Sequence, residues 1–141
     1  DPTFADTAMF CETYGYSLED SANAIVIASR RPPGHHCVCL GLATTRLDVN
    51  RRVKALLGVS KLSFAAPEQT IELTGMEIGG VTPFGMSSEL PIYVDSAVMD
   101  VDRAIVGGGT RAMKILLDPE VFARMDDVES VAGLASPPPQ G

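Results

Sequence analysis

The chain has 141 residues, 45% of them hydrophobic, 21% charged and 6% aromatic, and carries a formal net charge of −7. That length suits one compact domain, large enough to bury roughly two-thirds of the surface its unfolded chain exposes. So apolar a composition excludes a wholly disordered chain, and no apolar run approaches the roughly 18 residues of a membrane span.

In chain order, Asp1-Pro2 supplies a helix cap and a proline at the first helical position. Phe4, Ala8, Cys11 and Tyr14 then share one face up to a stop at Gly15. Residues 24–29 read as a strand, and Arg31-Pro32-Pro33-Gly34 separates them from a second over 37–43, which predicts a hairpin. Asp48 caps a helix with Val49, Val53, Leu56 and Leu57 on one side and Gly58 as its end. A short strand at 61–65 leads to a helix opened by Pro67 and closed by Gly75. Residues 76–90 have no period and are dense in turn formers. Strands are expected at 91–95, 104–106, 112–117 and 128–131, with a last helix opened by Asp118-Pro119. The tail, 136–141, has three consecutive prolines and is expected to be disordered. Short strands mixed irregularly with helices predict an α+β fold with a mixed sheet, in one domain over 1–135.

The net charge hides an asymmetry. Between Arg30 and Lys61 stand seven bases (Arg30, Arg31, Arg46, Arg51, Arg52, Lys54 and Lys61) and one acid, Asp48; elsewhere four bases face seventeen acids. A basic sector on an acidic chain steers a polyanion to one face, or simply solvates a helix. Cys11, Cys37 and Cys39 are an odd number, and on a strand Cys37 and Cys39 project to one face, a poor geometry for bonding to each other. A reducing compartment, the cytoplasm, fits this usage, and no secretory leader is visible. His35-His36-Cys37-Val38-Cys39 lacks the second ligand pair on which structural zinc draws. It reads as a histidine pair in a turn beside two buried thiols, so no metal and no cofactor is expected.

Two glycine clusters stand out, one within Thr74 to Gly85 and one at Gly107-Gly108-Gly109. Consecutive main-chain amides in such loops form nests for a carboxylate, a phosphate or a developing oxyanion; the plainer alternative is a tight connection. Neither cluster is a P-loop or a dinucleotide turn, and there is no GxSxG elbow. The only histidines are adjacent, and Asp95, Asp100 and Asp102 read as surface acids following a strand. Hydrolysis here would rest on positioning and backbone donors rather than on a strong nucleophile.

Thr74-Gly75 followed by Gly79-Gly80-Val81-Thr82-Pro83-Phe84-Gly85 matches a TG…GG-x-[ST]-P-x-G loop. With Leu90-Pro91-Ile92-Tyr93-Val94-Asp95, the strand ending in Gly107-Gly108-Gly109, and Asp48 to Lys61, the order of motifs resembles the YbaK/ProX family. These are the aminoacyl-tRNA deacylase domains also found inserted in some prolyl-tRNA synthetases. The resemblance covers about two-thirds of the chain, roughly Asn23 to Leu117, and the editing-domain core would span about 21–132.

The resemblance implies a mixed, curved sheet or partial barrel flanked by helices. It also implies a cytoplasmic trans-editing hydrolase that cleaves the ester of mischarged tRNA, with no part for membrane or DNA and with a synthetase as a possible further partner. The catalytic set it implies is Asn23, Gly79, Gly80, Val81 and Thr82, with the loop amides around the aminoacyl group and the tRNA's own ribose hydroxyl helping to activate water. Pro83, Gly85, Asp95, Gly107, Gly108 and Lys114 would bind substrate. The basic residues Arg30, Arg31, Arg51, Arg52 and Lys54 would meet tRNA phosphates. The chain departs from the family pattern at Asn23, where a lysine usually opens the first core strand. It departs also at Gly107, often serine, and at Lys114, often aspartate. An amide donates hydrogen bonds but supplies no charge. The alternative is therefore a module of weak or no activity that binds aminoacyl-tRNA or a related ligand.

Overall fold

The computed structural model describes residues 2–86, 89–110 and 113–137. The Asp1 cap, the Phe4 side chain, the strand start at Ala112 and the tail at 138–141 lie outside the described residues and side chains.

The hairpin forms as its sequence dictates. Strand β1 (Ala22–Arg31) turns at Pro32 into β2 (Pro33–Leu42), with Ile25 opposite Cys39, Val26 opposite Val38 and Ile27 opposite Cys37. Residues that pair across strands share a face, and the period of two divides the hairpin into two apolar sides. The order of the five-stranded sheet is β4 (Lys61–Phe64), β1, β2, β5 (Ile92–Asp95), β8 (Val128–Val131). β4 and β2 run antiparallel to β1, while β5 and β8 run parallel to β2. The sheet is therefore mixed, and it is open rather than closed into a barrel.

One face carries Ala22, Val26, Ala28, Val38, Leu40, Ile92 and Val94, covered by Val98, Ala104, Val106 and Phe122. The covering residues come from α4 (Ser96–Met99), β6 (Ala104–Gly107) and α5 (Glu120–Ala123). The other face carries Ile27, Cys37 and Cys39 under Val53, Val59 and Leu134. Its lid starts with a wide turn at Val49–Val53 and ends with α2 (Lys54–Leu57). Asp48 caps that lid by accepting from the Arg51 amide at 3.2 Å, and Gly58 closes it with φ 65°. The α1 helix (Pro2–Tyr14) ends at Gly15 with φ 77°, and α3 (Pro67–Thr74) ends at Gly75 with φ 75°.

Two small ribbons complete the domain: β3 (Arg46–Leu47) with β9 (Ala135–Ser136), and β6 with β7 (Lys114–Leu117). The first corrects the expected tail, because Ser136 pairs with Arg46 instead of starting a disordered segment. His35 and His36 are likewise inside β2, past the turn in which they were expected.

Candidate functional site

The glycine-rich loop is fastened to the β6–β7 ribbon by main-chain contacts. The Gly109 amide donates to the Gly80 carbonyl at 2.8 Å. A Cβ on Gly107 would lie 2.3 Å from the Val81 carbonyl oxygen, so only glycine admits that approach. Both carbonyls thus turn towards the ribbon. A trans peptide holds each carbonyl and the following N–H on opposite edges, so the amides of Val81 and Thr82 face away from it. Among the described residues, neither amide donates to a backbone carbonyl. The Gly80 amide is spent on a turn, donating to Glu77 at 2.9 Å. The Thr82 hydroxyl is buried with no hydrogen-bond partner among the described residues.

At the foot of the loop, Thr74 Oγ1 donates to the Thr70 carbonyl at 2.7 Å and accepts from the Met76 amide at 3.0 Å. This fixes the path out of α3. Gly80 to Pro83 are all buried, so the loop lies closed against the protein, between Gly79 (φ 90°) and the exposed Gly85 (φ 66°).

Asn23 reaches this region through β6. Ser21 and Ile105 form an isolated parallel bridge, so Asn23 and Gly107, each two residues further on, stand level on neighbouring segments. Lys114 pairs with Gly107 from the other side. The pairing thus sets Gly107 between Lys114 and the Val81 carbonyl, with the start of β1 running alongside β6. Gly108 donates its amide to Met113 at 2.9 Å and holds the end of the ribbon.

On its other side Asn23 lines a groove of about 560 Å³ with Ile25, Gly41, Thr44, Thr45, Arg46, Leu47 and Phe64 among its walls. None of Gly79 to Gly85 lines it. Asp95 does not open into this groove either. It is 2% exposed, and its Oδ1 accepts from the Ala135 amide at 3.2 Å, pinning β9. The same ribbon presses on Gly41, where an added Cβ would touch Ala135 and Leu47 at 3.4 Å. Asp95 thus supports a groove wall. Phe64 and Arg46 escaped the sequence reading as site residues. The available signal was an aromatic ending a strand just ahead of Pro67, the first residue of α3, which also fits a core strand.

Charge divides the molecule across the sheet. On the β4 side, Arg31 pairs with Lys61, Arg30 Nε donates to Ser63 Oγ at 2.7 Å, and Arg52 and Lys54 stand on the lid. Arg51 is held by Asp48 at 3.4 Å. At the β8 edge a groove of about 670 Å³ is lined by Glu89, Asp126, Asp127 and Glu129. Basic side chains thus mark the β4 side and acidic ones the β8 edge.

The thiols of Cys37 and Cys39 are 3.8 Å apart on one face, free and buried. The Cys37 hydrogen bond, followed by burial, pushes the Cys39 thiol well above its usual range, and burial raises Tyr93 beside it. Such thiols are inert. Among the described residues no three His, Cys, Asp or Glu side chains gather as for a metal, and no helix is long and apolar enough to cross a membrane.

Residues 1–125 match the model of the aminoacyl-tRNA editing domain. The uncharacterized protein YwhH of Bacillus subtilis (strain 168) is 29% identical over 109 residues, covering 77% of this chain and 67% of that protein. A proline–tRNA ligase of Bacillus licheniformis is 39% identical over 56 residues, 40% of this chain but only 10% of the ligase. A solved protein described as a candidate trans-editing enzyme for prolyl tRNA synthetase has a TM-score of 0.78 at 24% identity, over 89% of this chain and 77% of its own. A solved hypothetical protein gives 0.81 at 21% identity, over 92% and 83%. These two share the fold. With the family match spanning nearly the whole domain, the chain belongs to the aminoacyl-tRNA editing domain family.

Proposed function

We propose that this chain is a trans-acting aminoacyl-tRNA deacylase of the cytoplasm, working without a metal or cofactor. It hydrolyses the ester joining a wrong amino acid to the terminal ribose of tRNA. Water oxygen bonds to the acyl carbon, the ester C–O bond breaks, and the ribose oxygen leaves with a proton. The products are free amino acid and uncharged tRNA. As the carbonyl oxygen becomes negative, the amides of Val81 and Thr82 receive it, with the Thr82 hydroxyl as a further donor. One such donor is worth about 10²–10³ in rate. The substrate's own ribose hydroxyl helps to activate the water, as in the wider family.

The observation that supports this reading is the orientation of the two peptide units after Gly80: the Gly80 carbonyl accepts from Gly109 and the Val81 carbonyl lies over Gly107. Asn23 donates to the acyl end or the ribose, and Lys114 restores beside Gly107 the charge that Asn23 lacks. Gly79 and Gly85, both at positive φ, set the turns at either end of the loop, and Pro83 keeps its far half stiff. Arg30, Arg31, Arg51, Arg52 and Lys54 contact phosphates and make binding sensitive to salt.

The test is a panel of mischarged tRNAs incubated with micromolar protein. Hydrolysis of at least one above its spontaneous rate is expected, with a loss of about 10² or more in Gly79→Ala, where the positive φ resists a side chain. No acceleration with any tRNA contradicts the reading. Asn23 in place of lysine favours a second possibility, a binding module without turnover. That reading predicts tRNA binding alone, and gain of hydrolysis in Asn23→Lys.

A further inference from the structure

We propose that Phe84 is a positioning residue for the oxyanion donors: seated on Phe122, its ring holds the far half of the glycine-rich loop and so fixes where the Val81 and Thr82 amides point. The inference rests on the deacylase reading, and it adds to that reading a residue that acts through the loop without touching substrate.

The two halves of the loop are held by different means. The near half has polar fastenings: Thr74 Oγ1 accepts from the Met76 amide at 3.0 Å, the Gly80 amide donates to Glu77 at 2.9 Å, and the Gly80 carbonyl accepts from Gly109 at 2.8 Å. Past Gly80, among the described residues, 81–86 make no main-chain hydrogen bond. A side chain holds this half instead. The Phe84 ring lies 6.1 Å from that of Phe122, centroid to centroid, with the two planes 11° apart, a stacked aromatic pair. Phe122 is 1% exposed within α5, whose start is fixed by Asp118 Oδ1 accepting from the Glu120 amide at 3.0 Å, and this gives the ring a fixed seat. Met86 packs on the same core, but it follows Gly85, which is exposed at φ 66° with nothing within 4 Å of a Cβ placed there. The side-chain hold nearest the donors is therefore Phe84. Between them stands Pro83, whose ring fixes its own φ and restricts the residue before it, Thr82. So stiff a link passes a displacement of Phe84 back to the Thr82 and Val81 peptide units instead of absorbing it. Phe84 is half-buried at the wall of a groove of about 590 Å³, beside Ile115, Leu117 and Val121. Loss of its ring widens an open groove and leaves no sealed cavity, so the variants below should fold.

The experiment compares Phe84→Ala, Phe84→Leu and Phe84→Tyr with Val121→Ala, which trims the same groove from α5, outside the loop. Amide hydrogen exchange is followed on the free protein, and kcat and KM are measured on whichever mischarged tRNA the wild type cleaves. In Phe84→Ala, exchange at Val81 and Thr82 should quicken. There kcat should fall about tenfold or more with KM within about twofold, because misplaced donors cost the transition state and spare ground-state binding. Phe84→Tyr keeps the ring and should match the wild type, and Phe84→Leu, apolar but without a ring to stack, should lie between. Val121→Ala should lower the thermal midpoint while leaving kcat and the relative exchange of Val81 and Thr82 unchanged. Equal kcat losses in Phe84→Ala and Val121→Ala, or wild-type exchange at Val81 and Thr82 in Phe84→Ala, overturn the assignment even if deacylation is active. Quickened exchange in Phe84→Ala alone, with no deacylation of any tRNA by the wild type, overturns the deacylase reading and leaves the anchoring by Phe84 standing.

Discussion

The two regions that meet at Asn23 are built from different materials. On the ribbon side the contacts are main chain to main chain: Gly109 to Gly80, and the Val81 carbonyl against Gly107. There is no space for a Cβ, and the loop is buried. On the groove side the walls are side chains, open and partly charged, and their support comes from one buried carboxylate, Asp95. The first region cannot change without moving its backbone, while the second can be altered one residue at a time. The main-chain half therefore suits the step common to all substrates, and the side-chain half suits recognition.

The sharpest way to break this contrast is Gly107→Ala. Its methyl group would stand 2.3 Å from the Val81 oxygen and force the loop off the ribbon. A fall of about 10² or more in kcat is expected from displaced oxyanion donors, along with about 1–3 kcal/mol of stability, read by denaturant unfolding. Next is Asp95→Asn, which trades a charge-assisted hydrogen bond for a neutral one. About 1 kcal/mol of stability, the difference between the two kinds of bond, is at stake, and KM should rise more than kcat falls as the groove wall slackens.

Thr82→Val is a smaller change and a more discriminating one. A buried hydroxyl without a partner contributes nothing to the free protein, so the isosteric variant should be as stable as the wild type or about 1 kcal/mol more so. If that hydroxyl serves the transition state, kcat still drops about tenfold; unchanged kcat removes it from the mechanism. The smallest effect concerns the thiols beneath the groove's face. Cys39 is raised in the folded state, so its contribution is complete below the unfolded value near pH 8.5 and is lost as pH rises beyond it. A loss of about 1 kcal/mol at pH 9 is expected, and Cys39→Ala should flatten that dependence.

Much of this was legible in the sequence because local rules govern it. Gly15, Gly58 and Gly75 end their helices at positive φ, Asp48 caps the lid, and Pro67 opens α3. The hairpin and the pairing of thiols on one face follow from a period of two. The β3–β9 ribbon did not announce itself, since two residues per strand carry no period, and it forms where Asp95 and Gly41 meet the returning chain at Ala135. The parallel order of β2, β5 and β8 is equally long-range. For the site, the loop and Asn23 were readable from the resemblance, but the burial of Gly80 to Pro83 and the separate groove are properties of packing. Asp95 shows the limit most plainly. An acid at a strand end resembles a substrate ligand until its partner, the Ala135 amide forty residues away, is in view.

In the proposed reaction main-chain amides, rather than a reactive side chain, grip the acyl group. Hydrogen exchange at the Val81 and Thr82 amides tests this most directly, with and without a 3′-aminoacyl-adenosine analogue whose ester is replaced by a stable amide. The account predicts that both amides become strongly protected when the analogue binds, while the Gly80 amide, already bonded to Glu77, is little changed. Binding of the analogue with exchange at Val81 and Thr82 unaltered would contradict it.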